Sequence, residues 1–232
     1  TLWADYNAIF EGKEEVYPNW VSEFDIFTDK DRNVMQMNIQ RLECQPLISI
    51  VMPVYNPRPI WLERAIESVR NQIYGNWELC IADDASTDPK ICQMLMEYSQ
   101  LDSRIKVVYR EQNGHISVAS NSALALAKGE WIALLDHDDL LAEHALYWIV
   151  DALNLHQSVR LIYSDVDKID ESGLRSEPYF KCDWNLELFY SQNMISHLGV
   201  YQASLINEIG GFRAGFEGSQ DYDLALRCIE KI

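Results

Sequence analysis

Three carboxylates, Asp136, Asp138 and Asp139, stand within four positions directly after the apolar run Trp131-Ile132-Ala133-Leu134-Leu135. A run of that length reads as a strand that buries its side chains, and an ionised carboxylate is costly to bury without a partner. The acids therefore belong where the strand ends, in a crevice open to solvent. Asp136 and Asp138 flank one residue and can share a divalent cation, whose charge offsets their mutual repulsion. A second acid pair, Asp83-Asp84, closes the run Trp77 to Ala82, and Tyr55-Asn56 follow a third run that ends at Pro53. Much later, Gln220 and Asp221 lie where a loop enters a helix, with Asp221 and Asp223 in its first turn.

The elements that must position these groups alternate. From Pro46 the chain reads as strand, helix (Trp61, Leu62, Ala65, Ile66, Val69), strand, helix (Ile91, Leu95, Met96, Tyr98), strand (Ile105 to Tyr109), helix (about Val118 to Ala127, closed by Lys128-Gly129), strand. Such alternation predicts an α/β fold with a mainly parallel central sheet flanked by helices. In open sheets of this kind ligands bind outside the carboxyl ends of the strands, so Tyr55-Asn56, Asp83-Asp84 and Asp136-Asp138 are expected to converge on one crevice. Further on, Leu161 to Ser164, Val166 to Ile169 and Gly199 to Tyr201 read as strands, and Asp170 to Gly173 as a turn. Short helices are expected over Trp184 to Tyr190 and over Ala203 to Ile209, the latter ended by Gly210-Gly211. Residues 1–45 form an expected N-terminal extension of scattered aromatics, with a capped helix after Thr28.

Composition narrows the function. The 232 residues carry 36 acids against 19 bases, a formal charge of −17, which repels phosphate backbones and disfavours nucleic acid as a partner. An acidic chain that handles a phosphorylated ligand needs a cation as intermediary. Five scattered cysteines with no CxxC pair argue against a disulfide framework or a structural zinc site and for a reducing, cytoplasmic setting. No apolar run reaches the roughly 20 residues of a membrane span, so any contact with the inner face of the membrane is expected through other parts of a longer parent.

Pro53-Val54-Tyr55-Asn56, Asp83-Asp84-x-Ser86-x-Asp88, Asn113-Gly114, Asn121, Asp136-His137-Asp138-Asp139 and Gln220-Asp221-Tyr222-Asp223 occur in the order found in family 2 glycosyltransferases. The resemblance covers about residues 47–230, and Tyr163-Ser164-Asp165 with Gly218-Ser219-Gln220-Asp221 resembles the bacterial branch that builds O-antigen and other surface polysaccharides. It implies a GT-A fold over 46–232, a nucleotide-sugar donor (UDP- or dTDP-type), a glycan or lipid-linked acceptor, a divalent metal (Mn²⁺ or Mg²⁺) and inversion at the anomeric carbon. By the same resemblance Asp138 and Asp136 hold the metal. Pro53, Tyr55, Asn56, Asp83, Asp84, Asn113, Asn121 and Asp136 contact the donor, and Asp221 is the general base. Asp165 and Gln220 are candidate donor or acceptor contacts. Gln220 stands where relatives carry Glu, which leaves open a module that binds a nucleotide sugar without turning it over. His115 and His137 read as loop residues, and His197 as a structural histidine.

Overall fold

The computed structural model describes residues 16–232. Trp3, Tyr6 and Phe10 of the expected extension lie outside the described residues. Two helices come first: α1 (Val16–Phe24) and α2 (Asp29–Ile39). Thr28 caps α2 in a reciprocal box, its hydroxyl accepting from the Asp31 amide while the Asp31 carboxylate accepts from the Thr28 amide.

The alternating region follows as β1 (Ile48–Val54), α3 (Pro59–Arg70), β2 (Trp77–Asp83), α4 (Pro89–Leu101), β3 (Ile105–Tyr109), α5 (His115–Leu124), β4 (Trp131–Leu134) and α6 (Ala145–Leu155). The remainder is β5 (Leu161–Tyr163), β6 (Val166–Ile169), β7 (Arg175–Tyr179), α7 (Leu186–Ser191), β8 (Gly199–Gln202), α8 (Ala203–Ile209) and α9 (Gln220–Ile229). Six strands make one sheet in the order β3-β2-β1-β4-β8-β5. The first four are parallel, and β8 inserts antiparallel between β4 and β5.

Strand periodicity divides the core. Ile48, Ile50 and Met52 of β1, with Leu79 and Ile81 of β2, face a cluster holding Leu62, Ile66 and Val69 of α3, Ile91 and Leu95 of α4, and Leu146 and Val150 of α6. Val51, Cys80, Ala82 and Ile132 face the opposite cluster with Ala119 and Ala123 of α5, Leu205 of α8 and Leu224 of α9. Both faces are covered, which is why β1 and β2 read as continuous apolar runs rather than alternating ones.

Three expectations are corrected. Helix α5 stops at Leu124 with Ala125 as its C-cap, so Gly129 is not a helix cap. A Cβ at Gly129 would sit 2.5 Å from the Leu47 carbonyl and 2.7 Å from Ser49 Oγ, and only glycine allows that approach. Strand β7 was not expected at all: its Pro178 is tolerated because β6 and β7 form a separate two-stranded hairpin with an open edge. Helix α7 begins at Leu186 rather than Trp184, because Asn185 caps it by accepting from the Leu188 amide at 2.8 Å.

Candidate functional site

The carboxyl ends of β1, β2 and β4 open onto a cavity of about 510 Å³, lined by Pro53, Tyr55, Asp84, Asn113, Asp136 and Asp138 with His115, Ile116, His137 and Glu217 among others. That volume suits a medium-sized ligand. A smaller cavity of about 90 Å³ adjoins it and contains Ser196, His197, Gln220 and Asp221. Pro53, Ile116 and Asp136 line both, so Asp136 stands at the junction of the two spaces.

The rim is held in costly backbone geometry. Asn56 (φ 45°), Ala85 (φ 63°), His115 (φ 62°) and Ser196 (φ 40°) all adopt the left-handed region that favours glycine. They sit beside Tyr55, beside Asp84, at the start of α5 and in the loop before β8, the four places where the chain turns at the crevice. Such strain persists only where surrounding bonds over-determine it, and it gathers at functional sites.

Asp84 is nearly sealed, at 2% exposure. Its carboxylate accepts from Arg110 Nε at 2.7 Å and from the Gly114 amide at 3.0 Å, and Arg110 also donates to Ser122 Oγ at 2.6 Å. Arg110 follows β3 directly, so the end of the fourth parallel strand joins the crevice wall through this pair. Asn113 donates to the Asp84 carbonyl at 3.3 Å and accepts from the His115 amide at 3.1 Å, shaping the turn into α5.

The structure does not bring three of the expected donor contacts, nor Asp165, to the cavity wall. Asn56 Oδ1 accepts from the Thr87 amide at 2.8 Å and stitches the β1 loop to the β2 loop. Asp83 is buried at 2% and turns its carboxylate toward the Ser86 amide and Cys92. Asn121 clips α5 to the Phe212 backbone, donating at 2.8 Å and accepting at 2.9 Å. Asp165 accepts from the Lys181 amide at 2.7 Å outside both cavities. Asn56, Asn121 and Asp165 fasten loops or a helix, whereas Asp83 Oδ1 is buried with no hydrogen-bond partner among the described residues.

The acids after β4 separate. Carrying the antiparallel register Ala133↔Val200 three residues further sets 136 opposite 197, since 133 + 200 = 136 + 197. His197 accordingly reaches Asp136 Oδ2 at 3.7 Å from Nε2 and Asp139 Oδ2 at 3.3 Å from Nδ1. Ligand atoms of Asp136, Asp139 and His197 all lie within 4.8 Å of one another. Asp138 is exposed on the wall of the larger cavity, outside that cluster. The expected metal pair, Asp136 with Asp138, is thus joined at Asp136 by a second grouping, in which His197 stands beside two acids. Burial pushes the Asp136 and Asp139 carboxyls up; His197 opposes this, and neighbouring acids add to it. Two half-exposed carboxylates and an imidazole within reach of one point are a donor set that could hold a divalent ion.

Asp221 Oδ2 accepts from Asn193 Nδ2 at 2.7 Å, and Asp221 lines the smaller cavity with Asp136 and His197. Gln220 Oε1 accepts from the Gly218 amide at 2.8 Å, so its amide oxygen serves the loop. Asp223 is purely structural, buried at 6% between Arg213 and Arg227.

Residues 49–210 match the family described as Glycosyl transferase family 2. The chain belongs to that family. An uncharacterised protein, y4gI, of Sinorhizobium fredii is 56% identical over 194 residues, covering 84% of this chain and 21% of that protein. The O-antigen biosynthesis protein RfbC of Myxococcus xanthus is 36% identical over 195 residues, covering 84% of this chain and 15% of its own length. The chain therefore spans about a fifth or less of these relatives. Among solved structures, S. aureus TarS 1–349 in complex with UDP-GlcNAc superposes with a TM-score of 0.64 at 21% identity, over 78% of this chain and 52% of that one. Family and fold agree with the GT-A architecture expected from the motifs. All five cysteines of this glycosyltransferase chain are free. No helix among the described residues is long and apolar enough to cross a membrane.

Arg110, Asp139, Asn193 and His197 had no expected role at the site. Arg110 was legible in principle, as the first residue after a parallel strand. His197 required the β8 insertion, which no motif encodes.

Proposed function

We propose that residues 46–232 form an inverting, metal-dependent transferase domain that moves a sugar from a nucleotide-sugar donor to a glycan or lipid-linked acceptor in surface-polysaccharide synthesis, with 1–45 as an extension. The observation that carries this reading is the junction at Asp136: it lines the larger cavity at the strand ends and also the smaller one, where His197 of the acid–imidazole cluster and the carboxylate of Asp221 stand. Relatives named for O-antigen and colanic acid biosynthesis support the polysaccharide context. Structural neighbours solved with UDP-GlcNAc, and with GDP-Man and Mn²⁺, support the donor class and the ion. Free cysteines and a nucleotide-sugar donor fit the cytoplasmic side of the membrane.

In this account Tyr55, Asp84 and Asn113 shape the nucleotide end of the larger cavity. Asp136, Asp139 and His197 would hold the ion, with Asp138 on the wall of the larger cavity beside it. When bound, the divalent ion neutralises charge gathering on the diphosphate oxygens as their bond to the sugar breaks. Asp221 accepts the proton of the acceptor hydroxyl from the opposite side. The hydroxyl oxygen then bonds to the anomeric carbon in line with the departing diphosphate, and the carbon inverts. A panel of UDP-, dTDP- and GDP-sugars with Mn²⁺ tests this by nucleotide release and glycan product. Turnover should vanish with EDTA and in Asp221→Asn. Tight binding of a nucleotide sugar with no turnover by the full-length protein would instead favour a binding module.

A further inference from the structure

Residues 192–198 do two things at once. The loop leaves α7, carries Asn193 to Asp221 and His197 to the acid pair, and then enters β8. It has little regular structure of its own, yet it is pinned internally and from outside. Asn193 Oδ1 accepts from the Ser196 amide at 3.2 Å, and the carbonyls of Ile195 and His197 both accept from Lys181 Nζ at 2.6 Å. The Lys181 backbone is itself tied to Asp165. Met194 and Ile195 are buried, at 0% and 1% exposure, and anchor the loop in the core.

Against this fixed frame the Asn193 amide has one outward task. Its Nδ2 donates to Asp221 Oδ2 at 2.7 Å. A carboxylate oxygen committed to a rigid donor fixes the plane of the whole group and leaves its second oxygen, Oδ1, to meet a hydroxyl proton. Orientation of this kind is how a group next to a base accelerates proton transfer without touching substrate. We propose that Asn193 is the positioning residue for Asp221, held in place by Lys181 through the loop; this rests on the reading of Asp221 as the base.

The two ends of the Asn193 amide separate this role from a merely structural one. Asn193→Asp keeps the oxygen that accepts from Ser196 but replaces the donor to Asp221 with a second acceptor. Asn193→Ala removes both. In ¹⁵N spectra of the ligand-free protein the Asn193 side-chain amide, identified by its loss in Asn193→Asp, should shift in Asp221→Ala; an unmoved signal overturns the contact and the proposal. With Mn²⁺ and whichever of UDP-GlcNAc and GDP-mannose is turned over faster, Asn193→Asp and Asn193→Ala should both lose about tenfold or more in kcat, with donor KM changed by less than about twofold. Near-normal kcat in Asn193→Asp, alongside inactive Asp221→Asn, overturns the positioning role and leaves the base assignment standing. Full turnover in Asp221→Asn removes the base assignment, and the role of Asn193 falls with it.

Discussion

Replacing His197 by alanine removes one of the three ligand atoms that lie within 4.8 Å of one another beside the donor cavity. Its effect on metal binding can be set against that of Asp138→Asn, which alters an exposed acid outside the cluster. Loss of a residue that merely supports a ligand costs about 10–100-fold in metal affinity, so loss of a ligand itself should cost about 100-fold. An ion present at a hundred times its Kd stabilises the folded chain by about 2.7 kcal/mol, and each kcal/mol moves Tm by about 2–4 °C in a chain of this size. Saturating Mn²⁺ should therefore raise Tm of the unaltered protein by about 5–11 °C. At the same concentration His197→Ala, bound at about its own Kd, retains RT ln 2, about 0.4 kcal/mol, and a rise of about 1–2 °C. Asp138→Asn should keep most of the rise. The assay is thermal unfolding with Mn²⁺ titrated against EDTA. A full Mn²⁺ response in His197→Ala, with none in Asp138→Asn, would refute the cluster and restore the Asp136–Asp138 pair.

Further outcomes follow from the packing around the crevice. Arg110→Met leaves Asp84, 2% exposed, with the Gly114 amide as its remaining partner; breaking a buried pair costs about 3–5 kcal/mol, reduced here to about 2–3 because Arg110 itself is part-exposed. Denaturant unfolding should show that loss, and Asp84→Asn in the same chain should recover much of it. Burial brings Lys181 down from 10.5 to about 8, so between these pH values the unfolded chain binds more protons and stability rises with pH. Urea unfolding at pH 8 and pH 10 should show that this component of the slope is absent in Lys181→Met. Gly129→Ala places a methyl 2.5 Å from the Leu47 carbonyl and should destabilise by about 1–3 kcal/mol, as overpacking does, without altering the Mn²⁺ response.

Much of this architecture was legible from local rules. The β1, β2 and β4 runs are apolar because both sheet faces are covered, and their ends brought Tyr55, Asp84, Asp136 and Asp138 to one cavity as the parallel alternation required. Thr28 and Gly210 behave as their types demand, one as a reciprocal cap and the other at φ 77° closing α8. What stayed illegible depends on distant chain. Asp139 meets His197 because β8, far along the chain, inserts beside β4, and Asn193 meets Asp221 through a loop with no periodicity. Asn56 and Asn121 were ambiguous for a different reason. Asn56 and Asn121 have the polarity of ligand contacts, but a turn at positive φ and a helix-to-loop clip need the same amide, and only geometry tells the two uses apart.

The account stands most directly on whether nucleotide and ion bind together at Asp136. Calorimetric titration of UDP into the protein with saturating Mn²⁺, with EDTA, and in Asp136→Ala addresses this. Binding should appear with Mn²⁺, weaken by at least about tenfold with EDTA, and weaken similarly in the folded Asp136→Ala variant even when Mn²⁺ is present. UDP affinity that is the same with and without Mn²⁺, and unchanged in Asp136→Ala, would contradict it.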